Sequence, residues 1–276
     1  MNKIVRFSRF LLAITASFSA LAQPTASPYR TRFAVDGPVT LGLTAVNTAG
    51  LLLIRAKTGL SDEAAFALDK KNVPAFDRFS AGYYDEGYRT VSDYLLIGSL
   101  VGTPAIMALD PSIRSRTGQI GALYLQTLVA TGAVFTMAAG TVYRQRPLTY
   151  STEASITERT RQNATNSFFA GHTAYTAAAT FFAAKVFNDF HPDSRAKPYV
   201  WTAAALVPAV VGFCRLKAGK HFLSDNLLGY VVGASIGVAV PQLHRIAAGK
   251  GMSLVPVQGL NCNGYSYGGL QVTKTL

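Results

Sequence analysis

The chain has 276 residues, of which 49% are hydrophobic and 14% charged, and its formal net charge is +12. Soluble domains average roughly 25% charged residues, so the apolar share here is enough for a core and for a face turned to lipid. The basic excess points to an anionic membrane surface or an anionic substrate; with no zinc-type spacing and no long basic run, nucleic acid fits poorly and is not expected as a partner.

The chain opens MNKIVRFSRFLLAITASFSALA, with Lys3, Arg6 and Arg9 ahead of an apolar run over 10–21 and the small-residue pattern Ala20-Leu21-Ala22. That run is short against the roughly 20 residues of a membrane span. Residues 1–22 therefore read as an export signal cleaved before Gln23, with an uncleaved anchor helix as the alternative. The next stretch, 23–37, is rich in Pro, Ser and Thr and reads as a linker; 39–54 is weakly apolar, and 61–89 reads as short surface helices.

Five stronger apolar segments follow, over 94–109, 120–143, 173–187, 199–213 and 227–240. They are apolar nearly all round and rich in Ala, Gly, Thr and Ser, which suits close helix packing in a core or in lipid. Their lengths and the absence of strand alternation predict an all-α, membrane-embedded helical bundle. The expected organisation is a signal at 1–22, a linker and periplasmic helical segment at 23–89, a bundle domain at 90–246 and a tail at 247–276. Within the tail, Ser266-Tyr267-Gly268-Gly269 reads as a turn. The two cysteines, Cys214 and Cys262, form no disulfide framework.

Two connections, expected at one rim of the bundle, hold nearly everything reactive. The first runs from YRQRPLTY, with Arg144 and Arg146, to NSFFAGHTAY, with Ala170, Gly171 and His172 at a helix start. The second is CRLKAGKHFLSD, with Arg215, His221 and Asp225. Arginine forks match phosphate oxygens, and helix N-termini add N–H donors and a positive dipole end. Asp225 follows His221 by one helical turn, so its carboxylate is expected to face the imidazole and raise the basicity of the far nitrogen. His221 is then a nucleophile and His172 a proton donor to the leaving oxygen. The implied chemistry is phosphoryl transfer through a phosphohistidine, with no metal and no cofactor. His191 and His244 lack partners on this reading.

These blocks resemble the type 2 phosphatidic acid phosphatases, which share a fold with vanadium haloperoxidases and bacterial acid phosphatases. The family pattern is Lys, six residues, Arg-Pro; then Pro-Ser-Gly-His; then Ser-Arg, five residues, His, three residues, Asp. Here it maps to Arg146-Pro147, to Phe169-Ala170-Gly171-His172, and to Cys214-Arg215, His221 and Asp225. The third block keeps its spacing throughout, and the resemblance spans about 94–240. It implies that His221 is the nucleophile, Asp225 its orienting partner and His172 the general acid. Arg146 and Arg215 would hold the phosphate, with help from backbone N–H groups at Gly171 and Ala170. Ala139 stands at the Lys position of the first block, Phe169 and Ala170 replace Pro-Ser, and Cys214 replaces Ser. Arg144 is expected to supply the charge missing at Ala139.

The expected function is hydrolysis of a lipid phosphate or diphosphate at the periplasmic face of a bacterial inner membrane. Three rivals stand beside it: a soluble periplasmic acid phosphatase, a vanadium haloperoxidase, and a non-catalytic membrane protein that binds lipid headgroups.

Overall fold

The computed structural model describes residues 27–246, 252–260 and 266–274; the export signal expected at 1–22 lies outside the described residues. Six long helices form the bundle: α1 Phe33–Ala56, α2 Glu86–Met107, α3 Thr117–Thr141, α4 Gly171–Phe190, α5 Lys197–Lys217 and α6 Leu223–Leu243. All except α4 are long and apolar enough to cross a membrane. Large apolar side chains such as Leu41, Val101 and Leu206 point away from the core, as a lipid-facing bundle requires.

Helix α4 is the axis, packed against α2, α3, α5 and α6. Its Ala174, Ala177, Ala178 and Ala179 are fully buried, as is Phe182. The contact with α6 is backbone on backbone. A side chain at Gly229 would reach within 2.5 Å of the Ala170 carbonyl, and one at Gly237 within 2.6 Å of the Ala178 carbonyl. Glycine every fourth residue against alanine every fourth residue lets the two helices approach this closely.

Two helices start earlier than the apolar pattern suggested. α1 begins at Phe33, inside the expected linker, because the Asp36 carboxylate accepts the Arg32 backbone N–H at 2.6 Å and caps the first turn. α2 begins at Glu86, where Asp85 caps the N–H groups of Gly87 and Tyr88 at 2.8 and 3.1 Å. Its polar first turns precede the apolar run that begins at 94. α1 lies along α3, with Asn47 bonded to Thr136.

The two ends of the bundle are both polar. At the far end, Asp189 accepts from Tyr29 at 2.8 Å and from Lys185 at 2.5 Å. His191 and His244 do have partners there, Asp110 at 2.6 Å and Asp36 at 3.0 Å, which corrects their reading as partnerless. Those aspartates come from distant parts of the chain, so local sequence could not reveal them. The site end gathers the C-termini of α1, α3 and α5 and the N-termini of α2, α4 and α6.

The tail also departs from expectation. β1 Met252–Leu260 pairs antiparallel with β2 Ser266–Lys274, and Gly268 and Gly269 sit opposite Gln258 and Val257. The glycines expected to turn the chain are in the ladder instead.

Candidate active site

His221 precedes α6 and is almost fully buried. Its Nδ1 lies 2.6 Å from the Ser167 carbonyl oxygen. A carbonyl only accepts, so Nδ1 carries the proton and Nε2 keeps its lone pair. Burial, then the charges of Arg215 and Arg146, hold the imidazole well below its ordinary pKa, so it is neutral.

Asp225 does not make the contact with His221 that its spacing suggested. His221 is outside the helix, so the four-residue step is not one helical turn. The carboxylate instead accepts the Phe222 backbone N–H at 3.0 Å, capping α6, and the Ser167 hydroxyl at 2.6 Å. Ser167 is the intermediary: its hydroxyl is held by Asp225 and its carbonyl holds His221.

Arg144 is the other partner of Asp225, and its fork is taken up by protein carboxylates where the sequence expected it to hold phosphate. Its guanidinium donates to Asp225, to Asp77 at 2.6 Å and to Ser224 at 2.9 Å. Asp77, from the short helix Ala75–Arg78, also accepts from the Ser224 backbone N–H at 3.0 Å. Both carboxylates are almost fully buried, so removing the cation between them would leave buried charge unpaired. Ala170 is likewise committed, since its N–H donates to the Asp225 carbonyl at 3.1 Å. Gly171 is the first residue of α4, where the N–H has no acceptor within the helix, and it lines the site.

His172 donates Nε2–H to Asp93 on α2 at 2.8 Å, and Arg215 approaches the same carboxylate oxygen at 3.3 Å. Burial, followed by the Arg215 charge, pushes the His172 pKa down to about 4, with Asp93 acting in the opposite direction. Arg146 is pushed down to about 9, by burial first and by Arg215 next. The Nε atoms of Arg146 and Arg215 are buried with no hydrogen-bond partner among the described residues. Two forks with idle donors, side by side, are suited to an oxyanion.

These groups stand where two chambers meet. Arg146, Arg215 and His172 line both. The inner chamber, about 350 Å³, also takes His221 and has apolar walls from Ile54, Phe135, Ala139 and Tyr175. Ala139, at the position of the family's Lys, therefore belongs to an apolar wall. The outer chamber, about 440 Å³, adds Arg89, Asp93, Glu158, Arg161 and Lys220. Burial, then the Arg146 charge, lowers the Lys220 ammonium.

Sequence reasoning missed Ser167, Asp93, Asp77 and Lys220. Asp93 had a legible signal, a carboxylate inside an otherwise apolar helix. Lys220 adjoins His221. Ser167 acts through its carbonyl, and Asp77 comes from a polar surface stretch, so neither had one.

Residues 121–247 match the family model of the PAP2 superfamily. The match begins after α2 and so excludes Asp93. No curated protein matches the chain. A solved structure described as the first transmembrane PAP2 type phosphatidylglycerolphosphate phosphatase from Bacillus subtilis is 17% identical, with a TM-score of 0.40 over 76% of this chain and 92% of that one.

Proposed function

We propose that this chain, whose residues 121–247 match the family model of the PAP2 superfamily, is a membrane phosphatase that hydrolyses a lipid phosphate through a phosphohistidine. The observation that carries the reading is the state of His221. Its Nδ1 is engaged by the Ser167 carbonyl, which leaves Nε2 and its lone pair to a chamber walled by Arg146, Arg215 and His172. A nucleophile needs that lone pair, and the developing phosphoryl charge needs those two forks.

Nε2 of His221 attacks phosphorus, and the bond to the leaving oxygen breaks. That oxygen takes a proton from His172. Water then attacks the phosphohistidine with His172 as base, releasing orthophosphate and restoring neutral His221. His172 is neutral in the empty site, because burial and Arg215 outweigh Asp93. An arriving phosphate dianion offsets the arginine charges and draws a proton onto the ring, so the acid is loaded by substrate binding.

A lipid substrate is favoured by the five helices that satisfy a span and by Leu96 and Ile97 of α2 on the outer chamber wall. The reading places the site end at the periplasmic face. α1 runs from the far end to the site end. With α1 crossing like the other spans, a periplasmic site puts its first residue, Phe33, on the cytoplasmic side, against the expected export of the segment ahead of it.

The test is phosphate release by purified protein from phosphatidate, phosphatidylglycerophosphate and a polyprenyl diphosphate with EDTA present. Turnover that is lost in His221→Ala supports the reading; headgroup binding without release of phosphate from any of them overturns it.

A further inference from the structure

We infer that the outer chamber is a second anion subsite centred on Lys220, which takes a further phosphate of the substrate on the leaving-group side; the inference rests on the phosphatase reading above.

In phosphoryl transfer the attacking and leaving atoms lie roughly in line through phosphorus. His221 lines only the inner chamber, while Arg146, Arg215 and His172 stand at the junction. A phosphoryl group held at the junction and attacked from the His221 side expels its leaving oxygen past His172 into the outer chamber. What that chamber is built to hold is therefore the group attached to the scissile oxygen.

The chamber wall sets Leu96, Ile97 and Leu148 beside charged groups, more of them positive than negative. Arg89 is paired with Glu86 at 2.8 Å and Arg161 with Glu158 at 2.6 Å. Of the cations that line this chamber and not the inner one, Lys220 is the third, and it is only 5% exposed. Its nearest carboxylate oxygens are those same glutamates, at 3.5 and 4.0 Å. Charge-assisted N–H···O bonds close to about 2.7–2.9 Å, so neither glutamate engages it at full strength. A buried ammonium in that position is held ready for an anion on the chamber side.

This placement also accounts for Ala139. The family pattern has a lysine there, but in this fold the position lies on the apolar inner wall. Arg144 does not replace it, being committed to Asp77 and Asp225. The additional cation near the phosphate is Lys220, on the opposite side of the junction. The ammonium beside Ala139, that of Lys57, is spent on the carbonyls of Ala139 and Val142, at 2.8 Å each. A bare diacylglycerol would bring no charge to that chamber. A diphosphate, or a leaving group that is itself phosphorylated, brings an anion to Lys220. The substrate class is thus a lipid with two phosphates, attacked at the terminal one.

Two measurements on the full chain in detergent test this. The first is calorimetric binding of inorganic diphosphate and of orthophosphate to His221→Ala protein. Diphosphate is expected to bind at least about tenfold more tightly, as one additional charged contact implies. Lys220→Gln should remove most of that preference, Lys220→Arg should keep it, and Arg161→Gln, on the more exposed rim, should reduce it less. Equal affinity for the two anions, or equal weakening of both by Lys220→Gln, overturns the subsite. The second is kcat/KM for an alkyl diphosphate and the alkyl monophosphate of the same chain. A preference for the diphosphate that collapses in Lys220→Gln supports the assignment. Turnover without such a preference sinks the subsite and spares the phosphatase reading. Tight diphosphate binding with no turnover of either ester sinks the phosphatase reading and spares the subsite.

Discussion

Asp225 reaches the His221 imidazole through Ser167, whose hydroxyl donates to the carboxylate at 2.6 Å and whose carbonyl accepts from the imidazole at 2.6 Å. The carbonyl fixes the tautomer, and the carboxylate fixes the residue that presents the carbonyl. Ser167→Ala should therefore keep the fold and the nucleophile but loosen its aim. A fall in kcat of about tenfold, or about 1.4 kcal/mol, is expected, with KM little changed. Steady-state kinetics check this; an unchanged kcat would show that the carbonyl is held well enough without Asp225.

Arg144 and Arg146 are two residues apart and do different work. Arg144→Gln leaves Asp77 and Asp225 buried without their shared cation, and should destabilise the protein by about 3–5 kcal/mol. Arg146→Gln removes an oxyanion donor, and should cost about 2–4 kcal/mol in kcat/KM with little effect on stability. Thermal unfolding and kinetics of both variants decide it. A stable Arg144→Gln protein with impaired substrate binding would return Arg144 to the phosphate site. Ala139→Lys is not expected to rescue either variant.

The arrangement of helices and the gathering of both reactive connections at one rim were legible in the sequence, because apolar segments separated by short connections alternate in direction. The three motif blocks located His172, Arg146, Arg215 and His221. What was not legible depends on side-chain direction. Arg144 was within reach of the rim by spacing, yet its guanidinium turns toward Asp77, a residue 67 positions away. Asp225 has helical spacing from His221, but the helix starts too late for that spacing to apply.

His172 has a pKa near 4 in the empty site, and Asp93 holds it up against burial and Arg215. The general acid is protonated below that pKa and lost as pH rises through it, so kcat/KM on alkyl phosphates should decline from the acid side. Asp93→Asn removes the raising influence and should move the decline to lower pH. An activated aryl phosphate, whose leaving oxygen needs no proton, should not show the shift. pH profiles of the two substrates check this, and identical profiles would remove His172 from the acid role.

The proposed orientation predicts which end of the bundle meets the periplasm. Thr152 is exposed at the site end and Asp193 at the far end. With the native cysteines replaced, a membrane-impermeant maleimide added to intact cells should label Thr152→Cys and not Asp193→Cys. The reverse pattern would put the site in the cytoplasm.

The central claim is that phosphorus passes through Nε2 of His221. Rapid quenching of purified protein with a ³²P-labelled lipid phosphate, in EDTA, should trap an acid-labile, base-stable label on the peptide that contains His221. The label should vanish in His221→Ala and persist longer in His172→Ala, which lacks the base for the second step. Turnover with no label on that peptide, or a label that survives in His221→Ala, would contradict the mechanism.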